Sequence, residues 1–259
     1  MQAFDIKKSV YAMASVDGAT AELTMYGDIY ESRPVDPWTG EPVEGEFILL
    51  DEFLEDLKEI EGARRLTIRM NSYGGDAIVA NVIHNRIREL SRGGMKTTCI
   101  VDGVAMSGGS LIMCACDTVE VNPSSLIMIH NAWQFLFGGY NVDDLLKVAD
   151  SLDAADRMQC AIYVRKTGLS EEEIRGMMRE TTYMTGMEAA EKGFADKIME
   201  EAQPLQIAAS ADRRSIYVGR RTLHLAPGMT APENLESIEP AASWKARMLH
   251  KINKKNEED

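Results

Sequence analysis

The sequence contains no apolar run approaching the roughly 20 residues that cross a bilayer, and its opening stretch, "MQAFDIKKSVYAMAS", has no continuous apolar segment behind its charges. Neither a membrane span nor a secretory leader is expected, and the chain reads as a cytoplasmic protein with no membrane partner. Cysteine is sparse. The four thiols, Cys99, Cys114, Cys116 and Cys160, include a C-x-C within an apolar stretch but no paired Cys or His at ligand spacing. That argues against a disulfide framework and against a metal site. Positive charge is outnumbered, 28 Lys+Arg against 41 Asp+Glu, for a formal net charge of −13, so a nucleic-acid partner would be repelled. No G-x-x-x-x-G-K-[ST] phosphate loop occurs. No cofactor is expected, and any dependence on ATP would come through a partner.

What remains is an ordinary globular composition. Of 259 residues, 45% are hydrophobic and 27% charged, enough for one large domain, or a domain with an appendage, built on its own core.

The pattern along the chain is that of an α/β protein. "VYAMASVDGATAELTMYGDIY" reads as two strands about an Asp17-Gly18 turn, and "ESRPVDPWTGEPVEGE", with three prolines, as a loop. "FILLDEFLEDLKEIEG" has apolar residues at helical spacing and stops at Gly62. The strands "RRLTIRM" and "TTCIVDG" then alternate with an amphipathic helix, "AIVANVIHNRIRELSR", and a short buried helix in "SGGSLIMCAC". "DTVEV" and "LIMIH" follow as strands. This alternation predicts parallel pairing with crossover helices.

A long helix is predicted in "NVDDLLKVADSLDAADRMQCAIYVRKTG", capped by Asn141 and ended by Gly168. Ser170 with Glu173, and Thr185 with Glu188, are capping boxes opening two shorter helices. Residues 1–203 form the expected main domain. Residues 204–259, with weak periodicity and the basic island "RRSIYVGRR", are expected as a flexible or loosely attached extension.

One stretch does not fit plain core packing. "GVAMSGGSLIMCACD", residues 103–117, sets Ser107 before two glycines where a strand passes into a helix. The first N–H groups of a helix lack internal partners, so the N–H of Gly108 is placed to meet negative charge beside Ser107. "MNSYGGD" offers a second exposed N–H around Gly74 and Gly75, and two such donors make an oxyanion hole. A serine nucleophile needs a base. His84 lies mid-helix and His224 and His250 fall in the extension, whereas His130 ends the strand "LIMIH", where parallel sheets place functional side chains.

"MNSYGGD", "VAMSGGS", "MIHNAW" and "YMTGMEAAEKGFAD" occur in the order seen in ClpP-type serine peptidases. From about residue 20 to residue 200 the chain resembles this family, and within it the ClpP-related head-maturation (prohead) proteases of tailed phages and prophages. The resemblance implies a ClpP/crotonase-like spiral of ββα units with a protruding handle helix from near Asn141, assembled into homo-oligomeric rings. It implies Ser107 as nucleophile, His130 as general base, and Gly75 and Gly108 as oxyanion donors. Substrate would lie as an added strand between the segment after "NSYGG" and "GGYNVDD". The implied role is cleavage of capsid, scaffold or portal protein in the bacterial host cytoplasm or inside assembling procapsids.

One position departs from the family pattern. The acid of the triad falls two residues before the aromatic of "YMTGMEAAEKG", which here is Thr181. Glu180 is the nearest carboxylate and is taken as the third member, with Asp196 ranked second. The departure keeps a non-catalytic assembly protein on the same fold as the alternative. An acyl-CoA hydratase or isomerase of crotonase type ranks lower, because it needs no Ser–His pair.

Overall fold

Alternation of apolar and polar residues in "AELTM" and "LTIRM" puts Leu23, Met25, Leu66, Ile68 and Met70 on one buried face, the period-2 signature of strands covered on one side. The computed structural model describes residues 10–14, 19–60, 62–199, 207–210, 212–218, 221–224, 230 and 236–238.

In chain order, β1 (Val10–Ala14) pairs antiparallel with β2 (Thr20–Tyr30). The Asp17-Gly18 turn between them lies outside the described residues. The proline-containing loop is held by the Asp36 carboxylate, which accepts from the N–H groups of Trp38 and Thr39 at 2.8 and 2.9 Å. β3 (Phe47–Leu49) lies parallel to β2, and α1 (Leu50–Glu59) follows. The helix predicted from Phe47 thus begins three residues late. A short, wholly apolar run fits a buried strand as well as a helix, and the open edge of β2 decides for the strand.

β4 (Arg65–Gly75) and β5 (Lys96–Met106) flank α2 (Ala77–Arg92), which Asp76 caps by accepting from Ile78 and Val79. Next come α3 (Gly108–Met113), β6 (Thr118–Val121) and β7 (Leu126–Ile129). α4 (Val142–Thr167) carries the capping box of Asn141 with Asp144 and ends on Gly168 at φ 76°. α5 (Glu171–Arg179), β8 (Thr182–Thr185), α6 (Gly186–Glu191) and β9 (Lys197–Ile198) complete the unit. Both shorter helices open on the capping boxes read from the sequence.

The sheet runs β1-β2-β4-β5-β6-β9, parallel from β2 onward. The architecture is α/β, as expected. β5 changes partner along its length: Thr98–Val101 pair with β6, whereas Val104–Met106 pair with β7. Gly103 sits at this divergence, where a Cβ would lie 2.6 Å from the Asn71 side-chain oxygen. That oxygen instead accepts from the N–H of Val104 at 3.2 Å. The forked strand opens the sheet at the end where Ser107 emerges.

The chain divides into Met1–Met199 and Glu200–Asp259. Within the second unit, β10 (Ile207–Ser210), β11 (Ser215–Val218), β12 (Arg221–His224) and β13 (Glu236–Ile238) form a sheet ordered β12-β11-β10-β13. These strands lie within the segment expected as a flexible or loosely attached extension. His250 lies outside the described residues.

The core holds all four cysteines as buried free thiols. Hydrogen bonding to Cys116 together with burial pushes the Cys99 thiol well up, and burial pushes Cys114 up to about 12. His84 is fully buried on α2, with Nδ1 2.7 Å from the Leu111 carbonyl and Nε2 contacting Arg165. An arginine can only donate, so Nε2 is the acceptor and the ring is neutral, with its proton on Nδ1. Burial brings its pKa down to about 4. The unfolded chain therefore binds the proton first as pH falls, and stability is lost on acidification from the ordinary histidine range down toward pH 4. Between pH 7 and pH 5 this one group should cost about 2 kcal/mol. Urea unfolding at the two pH values should show the wild type losing that much more stability than His84→Gln.

Candidate active site

β5 passes into α3 through Ser107, whose backbone sits at φ 49° and ψ −122°. A side chain at positive φ is strained, and such strain costs on the order of 1–3 kcal/mol unless its surroundings hold it. Here they do. The Ser107 N–H donates to the Met128 carbonyl of β7 at 2.9 Å. Its carbonyl accepts from the N–H groups of Ser110 and Leu111 and from the Ser110 hydroxyl at 2.6 Å. The Ser110 proton being so committed, the buried Tyr163 hydroxyl of α4 donates to Ser110 Oγ at 2.7 Å. The Ser107 main chain is thereby fixed at both ends, and its Oγ is aimed out of the turn.

His130 follows the last residue of β7, and its Nε2 lies 2.7 Å from Ser107 Oγ. The chain beyond is anchored to two helices: the N–H of Asn131 donates to the Met178 carbonyl of α5 at 3.2 Å, and that of Ala132 to Asp156 Oδ1 of α4 at 2.6 Å. Burial lowers the His130 pKa, and the negative charge of Asp156 partly opposes the shift. The imidazole is therefore neutral at neutral pH, the state in which Nε2 can accept the serine proton.

The glycines pack against this pair. A Cβ on Gly74 would stand 2.7 Å from Ser107 Cβ and 2.9 Å from the Gly108 nitrogen, and Gly74 has φ +105°. A Cβ on Gly75 would meet the Ile29 carbonyl at 2.2 Å. The Gly75 nitrogen lies 3.5 Å from where a Gly108 Cβ would be, so the two glycines named from the sequence are close neighbours beside Ser107. β4 runs on through Gly75 rather than stopping at Met70, which is how Gly75 comes close to the Ser107 turn.

Neither acid named from the sequence makes a described hydrogen bond or ion pair with His130. Glu180 is the exposed C-cap of α5, its N–H bonded to Gly176 and Met178 carbonyls. Thr181 is exposed at φ 54°. Asp196 Oδ2 is engaged by the N–H of Val119 at 2.6 Å and by Lys166 Nζ at 2.5 Å, a structural clamp between β6 and α4. The carboxylate whose charge acts on His130 is Asp156, which the sequence analysis does not name. The signal was its spacing: Asp156, Cys160 and Tyr163 fall at i, i+4 and i+7, one face of a helix, and the latter two are buried. Among the described residues no cluster of three or more His, Cys, Asp or Glu could hold a metal ion, and no helix there is long and apolar enough to cross a membrane.

The profile of the family described as Clp protease matches residues 47–202, from β3 through β9 and just beyond. The chain belongs to the Clp protease family. Among curated relatives it is similar to the ATP-dependent Clp protease proteolytic subunit of Deinococcus radiodurans, at 24% identity over 198 residues, 74% of this chain and 93% of that protein. The match to the Clp protease profile takes in Gly75, Ser107, Gly108, His130, Asp156 and Glu180.

Two outcomes follow from this geometry. Gly74→Ala drives a methyl into the Ser107 side chain; a displacement near 1 Å lowers catalysis about 10²-fold, so turnover or active-serine labelling should fall by that order while circular dichroism stays native. With His130 acting as base, kcat/KM should rise with pH through a midpoint below the ordinary histidine value of about 6.5 and be flat at neutrality.

Proposed function

We propose that the chain is a serine endopeptidase that cleaves protein substrates through an acyl-enzyme on Ser107. The observation that carries the reading is the 2.7 Å contact between Ser107 Oγ and His130 Nε2, made at a strained turn beside two glycine N–H groups. In this scheme His130 takes the serine proton as Oγ attacks the scissile carbonyl, and the N–H groups of Gly75 and Gly108 bind the oxygen as it becomes negative. His130 then returns the proton to the leaving amine, and water releases the acyl group by the same route. These steps need no metal and no nucleotide.

Clp family proteins act on protein substrates as homo-oligomeric rings, and the same assembly is proposed here. Two features support it. The first four turns of α4 carry no fully buried residue, and Val142, Leu145 and Leu146 are exposed on them. The loop before it exposes Trp133, Phe135 and Phe137. Apolar surface of this kind marks an interaction site. The finer reading, a prohead protease acting on capsid, scaffold or portal protein during head maturation, rests on the order of the four motifs quoted above.

A fluorophosphonate probe tests the activity. Covalent labelling of the wild type that is lost in Ser107→Ala, with the mass increase on the peptide containing residue 107, is the expected result. A correctly assembled wild type that takes no label overturns the hydrolase reading in favour of a non-catalytic assembly protein. Intact masses of the wild type and Ser107→Ala, compared after joint incubation with candidate capsid proteins, report both self-trimming and substrate cleavage.

A further inference from the structure

We propose that Asp156, on the long helix α4, is the positioning residue for His130, in place of the acid that the family pattern would set at position 181. The inference rests on the reading of Ser107 and His130 as nucleophile and base.

Its first support is geometric. His130, Asn131 and Ala132 leave β7 together, and the Asp156 carboxylate grips this exit by accepting from the Ala132 N–H at 2.6 Å. A charged acceptor on a backbone N–H is among the stronger hydrogen bonds, so Asp156 fixes where the base stands relative to Ser107. Its other oxygen, Oδ2, takes no hydrogen bond among the described residues. Nor does any cation there pair with Asp156: its neighbour Arg157 is engaged by Asp153, and Arg175 by Asp153 and Glu171. The negative charge is therefore left to act on the imidazole.

The second support comes from what else faces His130. From the β5–α3 turn it meets the Ser107 hydroxyl, and from α5 the strand exit meets the Met178 carbonyl. Both are neutral. Thr181 brings no charge, and Glu180 is exposed at the end of α5. Asp156 alone, among the described residues, supplies a charge that favours the imidazolium, opposing the burial that disfavours it. In an acyl transfer the imidazolium forms only as Ser107 attacks, so a carboxylate at this place stabilises the transition state more than the resting enzyme.

Histidine NMR titration of the full-length chain separates this role from a merely structural one. Asp156→Asn keeps an oxygen for the Ala132 N–H but removes the charge, and should move the His130 midpoint to lower pH. Glu180→Gln should leave it where it is. In turnover or labelling, Asp156→Asn should lower kcat at least tenfold with KM little changed, and shift the acid limb downward with the midpoint. An unmoved midpoint in Asp156→Asn overturns the proposal, even if activity falls, and so does a midpoint that moves in Glu180→Gln instead. Should Asp156→Asn not fold, the wild type still decides: the coupling is reciprocal, so the Asp156 carboxyl carbon must shift as His130 titrates, and a flat signal refutes the inference. None of these titrations requires hydrolysis. A wild type whose Ser107 takes no fluorophosphonate thus ends the peptidase reading, whereas an unmoved midpoint beside an active enzyme ends this proposal alone.

Discussion

A serine backbone held at φ 49° and ψ −122° is the constraint around which this end of the molecule is organised. Nothing local favours that conformation, so neighbours from four elements maintain it. Met128 of β7 takes the Ser107 N–H, the first turn of α3 and Ser110 take its carbonyl, and Tyr163 of α4 completes the chain. Gly74 of β4 closes the remaining side so tightly that only a residue without Cβ fits. Strain of this kind persists only where the surroundings over-determine it. The reward is a hydroxyl that stands clear of its own strand and within hydrogen-bond reach of an imidazole on the next.

α4 has a double attachment to this arrangement. Tyr163 reaches the turn that carries Ser107, and Asp156, two helical turns earlier, reaches the segment that follows His130. Both attachments use the half of the helix that packs on the core, while the other half stands largely exposed. One rigid rod thus holds supports of both segments, which fixes the spacing between those supports. The fork in β5 adds to this. By giving its first half to β6 and its second to β7, the sheet divides at the end where the two side chains meet.

Much of this was legible in the sequence, for identifiable reasons. Alternating runs such as "LTIRM" fix strands covered on one face, and capping boxes at Ser170 and Thr185 fix helix starts through bonds between near neighbours. Ser107 and His130 could be named because a serine before two glycines at a strand–helix switch, and a histidine ending a buried strand, are each placed by local pattern. The start of α1 was missed because "FIL" is apolar at every position and carries no period. Asp156 was missed because its importance depends on which loop α4 lies against, a tertiary fact that no local pattern encodes. Glu180 was chosen by nearness along the chain to a motif position, and the structure turns it outward at a helix end.

All four cysteines lie in the same core that supports the site, inaccessible and, at Cys99 and Cys114, held strongly in the protonated form. Alkylating reagents attack the thiolate, so in the closed molecule Cys99 and Cys114 are protected twice, by exclusion and by a raised pKa. Their rate of modification then becomes a clock for opening. Cys99 on β5 and Cys114 just after α3 report on the sheet behind Ser107, and Cys160 reports on the lifting of α4. The protein carries its own four-point sensor of local unfolding, with no engineered label needed.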